Sequence, residues 1–394
     1  MAQHRSGGAD GLDLPSGIEV SGTSLLKWAW QRARQRLPRP PASPIVGVPP
    51  DLAFLHANRT VPAYTWIGHA SGMLQVGGAN LLLDPVFSPV ASPFRFAGPR
   101  RHQPPGLTAA QLPHIDAVLL SHNHYDHLDR PSVRAVARQS GGAPCYVVPR
   151  GLEGWFGRNL PRRRGMLPEI VPLDWGGEVT LPVGASLLTL HFLPVQHWSN
   201  RTMFDRNRSL WGSWAIVHET FRFWYSGDLG YSTHPARIGE RLGPFDAAAI
   251  AVGAYEPRWF MRSQHVNPAE AVQVMLDVRA QQAIGVHWGT FALTDEPLDQ
   301  PPRDLATALA ARGIGADRFT VLRHGETRVF GPQSADRERR SRGDGNGNGG
   351  TADGGTADRG AANRGTADGG TADRGTANRG TADGGTDSDV RETT

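Results

Sequence analysis

Between Ala63 and Gly331 the apolar residues fall in short runs bounded by Gly, Pro or polar positions, and runs of this length predict strands. The early ones are AYTWI (63–67), MLQV (73–76) and NLLLD (80–84), followed by DAVLLS (116–121), CYVV (145–148) and SLLTLHFLPV (186–195). SWAIV (213–217) and FRFWYS (221–226) are close enough to pair as a hairpin, and DAAAIAV (246–252), AIGVH (283–287), FTVL (319–322) and TRVF (327–330) complete the set. Helical spacing of apolar positions appears over Pro131–Gln139, Pro268–Val278 and Arg303–Ala311. Hairpins first, then strands mixed with helices, predict an α+β chain of two mixed β-sheets flanked by helices rather than a doubly wound parallel sheet.

The two ends read differently. Residues 1–60 are rich in Pro and Gly apart from LLKWAWQRARQRL, where Leu26, Ala29, Trp30, Ala33 and Leu37 fall within about a 100° arc and Lys27, Arg32, Arg34 and Arg36 lie off it. This predicts a basic amphipathic helix over about 24–37, suited either to an anionic bilayer or to the protein's own surface. From Thr351 to Gly385 the chain repeats in fives (TADGG, TADRG, AANRG), and residues 333–394 hold almost no large apolar side chain. Such a segment cannot bury enough surface to offset its ordering entropy, so it is expected to be disordered, with the catalytic domain confined to 61–332.

Composition narrows the chemistry. The net charge is +4, and about +6 once the tail is set aside, too diffuse for a nucleic-acid groove. Lys27 is the only lysine among 41 basic residues, a bias that carries no functional reading. A single cysteine, Cys145, rules out an intrachain disulfide and any thiolate-rich metal site, leaving His and carboxylates as ligands. No apolar run reaches the length of a membrane span and no signal peptide is evident, so a cytoplasmic protein is expected, peripheral at most at the inner face of the membrane.

The informative stretch is Ser121-His122-Asn123-His124-Tyr125-Asp126-His127-Leu128-Asp129, directly after an apolar run. In an extended segment His122 and His124 point to one side, and the turn that follows brings Asp126 and His127 to an adjacent position. His197, Asp228 and His287 each lie at or just past the end of a strand-like run, and strand ends open onto a common edge. Five His and two Asp exceed what one ion needs and imply two sharing a bridging carboxylate, assigned to Asp228. His122, His124 and His197 then serve one ion and Asp126, His127 and His287 the other. Nitrogen and oxygen ligation suits two Zn²⁺, with Mn²⁺ or Fe compatible. Asp129 is expected to cap the following helix.

HxHxDH with downstream His, Asp and His resembles the metallo-β-lactamase superfamily, whose fold is an αβ/βα four-layer sandwich around a binuclear zinc site. Further motifs, among them TWIGHAS, LDPVFSPVASP, QHW, LWGSW, GDLGY, GAYEPRWFMRSQHVNPAEAV and HWGTFAL, are similar to the N-acylphosphatidylethanolamine-hydrolysing phospholipase D branch over roughly residues 63–326. Leu229 departs from the small hydroxyl residue common after Gly-Asp, without replacing a ligand. The resemblance implies a phospholipid substrate cleaved to phosphatidic acid and an N-acylethanolamine by a water that two ions share and acidify, and it suggests a homodimer. Asp126, Asp228 and His265 are the expected catalytic residues, His265 stabilising the leaving alkoxide. Tyr125, Gln264, His265, Arg201 and Trp259 are the expected substrate contacts, with Trp259, Phe260 and Met261 either lining an acyl channel or packing in the core. His69 is expected either to orient a ligand or its loop or to make a simple turn hydrogen bond. The alternative is a hydrolase of the same superfamily acting on soluble phosphodiesters or lactones.

Overall fold

In the run Ala79–Leu83 alternate side chains part company: Leu81 and Leu83 enter a large core shared by both sheets, while Leu82 enters a second apolar layer with Leu55, Val133, Val136 and Phe156. Ala117 and Leu119 against Val118, and Val147 against Tyr146 and Val148, repeat the division. A strand covered on both faces must be apolar at every position, which is why these segments read as unbroken apolar runs. The computed structural model describes residues 3–5, 14–15, 17–18, 21–34, 45–94, 96–183 and 186–331. Residues Met1–Gln333 cluster as one unit; the repeat tail lies outside the described residues.

The elements begin with β1 (Gln3–Arg5), α1 (Gly22–Arg34), α2 (Leu52–Ala57), β2 (Ala63–Gly68), β3 (Ser71–Val76), β4 (Ala79–Leu83) and β5 (Ala117–Leu119). They continue through α3 (Arg130–Val136), β6 (Cys145–Pro149), α4 (Glu153–Asn159), β7 (Ile170–Leu173), β8 (Glu178–Val183), β9 (Ser186–Leu193), β10 (Ser213–Val217) and β11 (Arg222–Tyr225). The last are α5 (His234–Leu242), β12 (Phe245–Ala251), α6 (Arg258–Met261), α7 (Pro268–Asp277), β13 (Ala280–Val286), α8 (Gln300–Ala311), β14 (Phe319–Val321) and β15 (Thr327–Val329). One sheet runs β15-β2-β3-β4-β5-β6-β7 and the other β1-β8-β9-β10-β11-β12-β13-β14, both mixing parallel and antiparallel neighbours.

The expected two mixed sheets flanked by helices are observed, and β10 and β11 form the expected hairpin, pairing Trp214 with Tyr225. Strands β7 and β8 were not anticipated. Pro172 and Pro182 lie within them and read as breakers; β7 tolerates its proline because it is the last strand of its sheet. Asp129 caps α3, accepting from the Ser132 amide. The amphipathic segment is helical over Gly22–Arg34; positions 35–37 of the expected helix fall outside the described residues.

Candidate metal centre

Strand ends build the site. His122 follows β5, Asp84 follows β4, His197 follows β9, Asp228 follows β11, and His287 closes β13. His69, Asp84 and His287 hold left-handed backbones (φ 52°, 37° and 63°), each a cost of order 1–3 kcal/mol that the surrounding structure sustains. Gly227 (φ 56°) turns the chain immediately before Asp228, and a Cβ there would stand 2.8 Å from the Gly212 carbonyl oxygen.

The side chains gather in overlapping groups: His122, His124, His197 and Asp228; His69, Asp126, His127 and His287; and Asp228, His265 and His287. All seven residues expected as ligands are brought together, with Asp228 between the imidazoles. Its Oδ2 is 3.0 Å from His127 Nε2, 3.7 Å from His122 Nε2 and 3.8 Å from His197 Nε2, and its Oδ1 is 3.2 Å from His287 Nε2. Asp126 Oδ2 lies 3.4 Å from His287 Nε2 and 3.6 Å from His127 Nε2.

Hydrogen bonds behind the rings set their tautomers. His127 Nδ1 donates to Asp84 Oδ2 (2.7 Å), and His197 Nδ1 donates to the Gln264 carbonyl (3.0 Å). When the rings are neutral, both Nε2 atoms therefore present lone pairs to the centre. Ser121 donates its hydroxyl to Asp84 Oδ2 (2.5 Å) and so can accept from His122 Nδ1 (2.9 Å), which leaves His122 Nε2 bare, 2.8 Å from His124 Nδ1. His197 Nε2, His287 Nε2 and Asp228 Oδ1 are buried without a hydrogen bond. Bare nitrogens and carboxylate oxygens converging in a buried space fit cations, and the absence of sulfur ligands fits Zn²⁺, Mn²⁺ or Fe.

Electrostatics agree. Burial raises Asp228, but the charges of His127, His287 and His265 outweigh it and hold its carboxyl well below the usual range. Burial likewise lowers His287, yet the charge of Asp228 and the Asp126 carboxylate 3.4 Å away push it up to about 9. His124 is lowered to about 3 and His197 to about 4, in each case chiefly by burial. His127 is likewise lowered by burial but raised well above its usual range by Asp228 and Asp126. The carboxylates thus draw positive charge onto His127 and His287 where cations would otherwise supply it, so metal binding releases protons.

The expected substrate contacts divide. His265 is buried, its ring 5.3 Å from those of both His197 and His287 and its Nδ1 without a hydrogen bond. Gln264 is committed to neighbours: Oε1 accepts from Trp198 Nε1 (2.9 Å) and Nε2 donates to the Phe260 carbonyl (3.1 Å). Arg201 Nη1 donates to the carbonyls of Asn123 (3.0 Å) and Leu128 (2.7 Å), bracketing the ligand-bearing turn, and its guanidinium covers the Tyr125 ring at 4.0 Å. Trp259 is half exposed at the wall of a cleft that also includes Gln196 and Ser263. His69 Nε2 meets Asp126 Oδ2 at 2.9 Å, the orienting contact expected of it, and its position also groups it with His127 and His287. Asp84 was missed, although an acid closing the apolar run NLLLD was the available signal.

Residues 79–288 match the beta-lactamase superfamily domain. The chain belongs to that superfamily. Within it, the chain belongs to the branch similar to N-acylphosphatidylethanolamine-hydrolysing phospholipase D. It is 40% identical over 241 residues to N-acyl-phosphatidylethanolamine-hydrolyzing phospholipase D 1 of Caenorhabditis elegans, covering 61% of this chain and 67% of the relative. It is 31% identical over 273 residues to the mitochondrial enzyme named for the same activity in Saccharomyces cerevisiae, covering 68% of this chain and 56% of that one. A metallo hydrolase of the archaeon Ignicoccus hospitalis shares the fold at 18% identity with a TM-score of 0.51, over 69% of this chain and 99% of that one. Like other members of the superfamily, this chain is a metal-dependent hydrolase.

Proposed function

We propose that the chain is a phosphodiester hydrolase of the phospholipase D type, cleaving N-acylphosphatidylethanolamine to phosphatidic acid and an N-acylethanolamine with two Zn²⁺ ions. On this reading His122, His124 and His197 hold one ion, Asp126, His127 and His287 hold the other, and Asp228 serves both. The observation that carries it is the place of the Asp228 carboxylate, one oxygen toward His122, His127 and His197 and the other toward His287. Two such ions, when bound, supply an acidified water and neutralise charge developing at phosphorus.

The protein's own groups do the rest. Asp84 and the Gln264 carbonyl fix the ring orientations of His127 and His197, so the ligand set is preorganised. His265, buried beside Asp228, offers a neutral imidazole for a hydrogen bond to the leaving oxygen. Burial raises the Asp126 and Asp228 carboxyls, but the imidazoles around them outweigh it and hold both well below the usual carboxylate range. The phospholipid substrate is supported by the activity for which the nematode and yeast relatives are named. No helix among the described residues is long and apolar enough to cross a membrane.

The test is hydrolysis of N-acylphosphatidylethanolamine in mixed micelles by the purified protein, with bound metal counted in parallel and Asp228→Ala as control. Phosphatidic acid released by a two-metal protein and lost in the variant supports the reading. Two bound metals without lipid turnover, but with cleavage of a soluble diester or lactone, would move the substrate to the alternative class.

A further inference from the structure

Helix α1 is fastened to the domain through Trp28 and Arg32, which lie off its apolar arc. Trp28 stacks on Phe260 with ring centroids 5.1 Å apart and donates Nε1–H to Asp295 Oδ2 (3.1 Å), and Arg32 donates to the Leu293 carbonyl (3.1 Å). The apolar arc turns outward instead: Leu26 is 72% exposed and Trp30, one turn on, 55%, with Ala29 and Ala33 exposed beside them. A stripe with the period of a buried face that points away from its own protein has its partner elsewhere.

Its surroundings are cationic. Lys27 lies over the Trp259 ring at 4.7 Å, Arg34 lies over the Trp30 ring at 3.8 Å, and α1 contains no acidic residue. Arg262 has a side chain 79% exposed and meets Glu270 only at 3.9 Å. Trp259 and Arg262 also line a cleft of about 500 Å³ whose walls include Gln196, adjacent to His197, and Ser263, adjacent to Gln264. The cleft beside α1 is thus lined by residues next in sequence to His197 and Gln264.

We propose that Leu26, Trp30 and Trp259, set among Lys27, Arg34 and Arg262, form a docking face for an anionic phospholipid bilayer. The face combines apolar side chains with the positive charge of Lys27 and Arg34, and of an exposed Arg262 that Glu270 only partly offsets, which is the complement of acyl chains beneath anionic headgroups. A second copy of the chain would oppose like charges across a symmetric contact, and a nucleic acid would leave the apolar stripe in water. Trp and Leu enter the headgroup boundary while the basic side chains reach phosphates around them. The docking deepens the lipid-substrate reading by bringing the cleft to the lipid surface, and its purpose rests on that reading.

The experiment is co-sedimentation of the full chain with vesicles that contain no substrate, of phosphatidylcholine alone or with roughly a third phosphatidylglycerol. The protein is expected to pellet with the anionic vesicles and to release as salt rises. The variant Leu26→Ser/Trp30→Ser should lose about tenfold or more in partitioning, with an unchanged melting temperature because both side chains are exposed. Lys27→Gln/Arg34→Gln should weaken binding and flatten its salt dependence. Absence of binding, equal binding by the Leu26→Ser/Trp30→Ser variant, or a protein dimer dissolved by that variant would overturn the proposal. Micellar substrate turnover without vesicle binding refutes the docking face alone; vesicle binding without turnover refutes the substrate reading alone.

Discussion

Asp84 Oδ2 stands 2.7 Å from His127 Nδ1, and the same oxygen accepts hydrogen bonds from the Tyr225 hydroxyl (2.6 Å) and the Ser121 hydroxyl (2.5 Å). One buried carboxylate therefore holds a ligand ring, a strand-end serine and a core tyrosine, joining both sheets behind the centre. Asp84→Asn keeps the volume but offers weaker acceptance, so His127 loses both its fixed tautomer and part of its basicity. Metal affinity is expected to fall about 10–100-fold, read by competition with a chromophoric chelator. Tyr225→Phe removes one donor and should cost about 1 kcal/mol of stability with a smaller change in affinity. Unaltered affinity in Asp84→Asn would show that the contact is structural only.

What the sequence revealed and what it hid follow from the range of each interaction. His122, His124, Asp126 and His127 lie within six residues, and His197, Asp228 and His287 adjoin apolar runs, so period-two patterning exposed them all. The contacts of Asp84 reach 43 positions along the chain to His127 and 141 to Tyr225, and no local pattern encodes such pairings. The hydrogen bonds of Arg201 were hidden for the same reason, since the carbonyls its Nη1 meets lie 73 and 78 positions away. Helix α1 was legible as amphipathic, but which face it docks was set by Phe260 and Asp295, more than two hundred residues on.

The Arg201 bracket makes a separate prediction. Its Nη1 satisfies the Asn123 and Leu128 carbonyls on either side of His124, Asp126 and His127, and Tyr125 packs under its guanidinium. Arg201→Gln should leave those carbonyls poorly paired in a buried setting, at about 2–3 kcal/mol. It should also lower metal affinity, since the turn loses its clamp. Arg201→Lys, a charge without the fork, should recover only part of either. Urea titration with parallel metal counting reads both effects, and a variant of full stability and affinity would refute the clamp.

Gly227 tests the backbone beneath Asp228. At φ 56° an added Cβ would stand 2.8 Å from the Gly212 carbonyl oxygen and 2.8 Å from Ser121 Cβ, neither the end of a flexible chain. Gly227→Ala therefore combines left-handed strain with a backbone clash and should cost about 2–4 kcal/mol. Thermal melting of the metal-loaded protein measures it. A change under about 0.5 kcal/mol, the range of an ordinary surface substitution, would contradict the geometry.

His324 gives the fold an acid limit away from the metal centre. Its ring packs on Trp66 at 4.3 Å and its Nε2 meets Thr290 Oγ1 at 2.9 Å; burial, assisted by Arg101, lowers it from 6.5 to about 4. The unfolded chain then binds a proton near pH 6.5 that the native state takes up only near pH 4. The stability linked to this group is complete above pH 6.5 and is lost as pH falls toward 4, by up to about 3 kcal/mol. The advantage of wild type over His324→Gln should therefore shrink between pH 7.5 and pH 4.5 in urea unfolding. A constant difference across that interval would show that the ring is protonated equally in both states.

Asp228 distinguishes a shared centre from two independent sites. Its carboxylate faces imidazoles of both groups, whereas His197 belongs to one and Asp126 to the other. His197→Gln and Asp126→Asn should each weaken one ion and spare its neighbour, leaving close to one equivalent of tightly held metal. Asp228→Asn should weaken both together, because it removes the negative charge that the surrounding imidazoles and any bound cations share. Stripping the wild type with a chelator should lower its melting temperature, and readdition of Zn²⁺ should restore it by mass action on the folded state. Metal counting on the three variants, titrated with the same chelator, reads the pattern. One tight equivalent surviving in Asp228→Asn would mean that the carboxylate serves a single ion and that the two groups of histidines act apart.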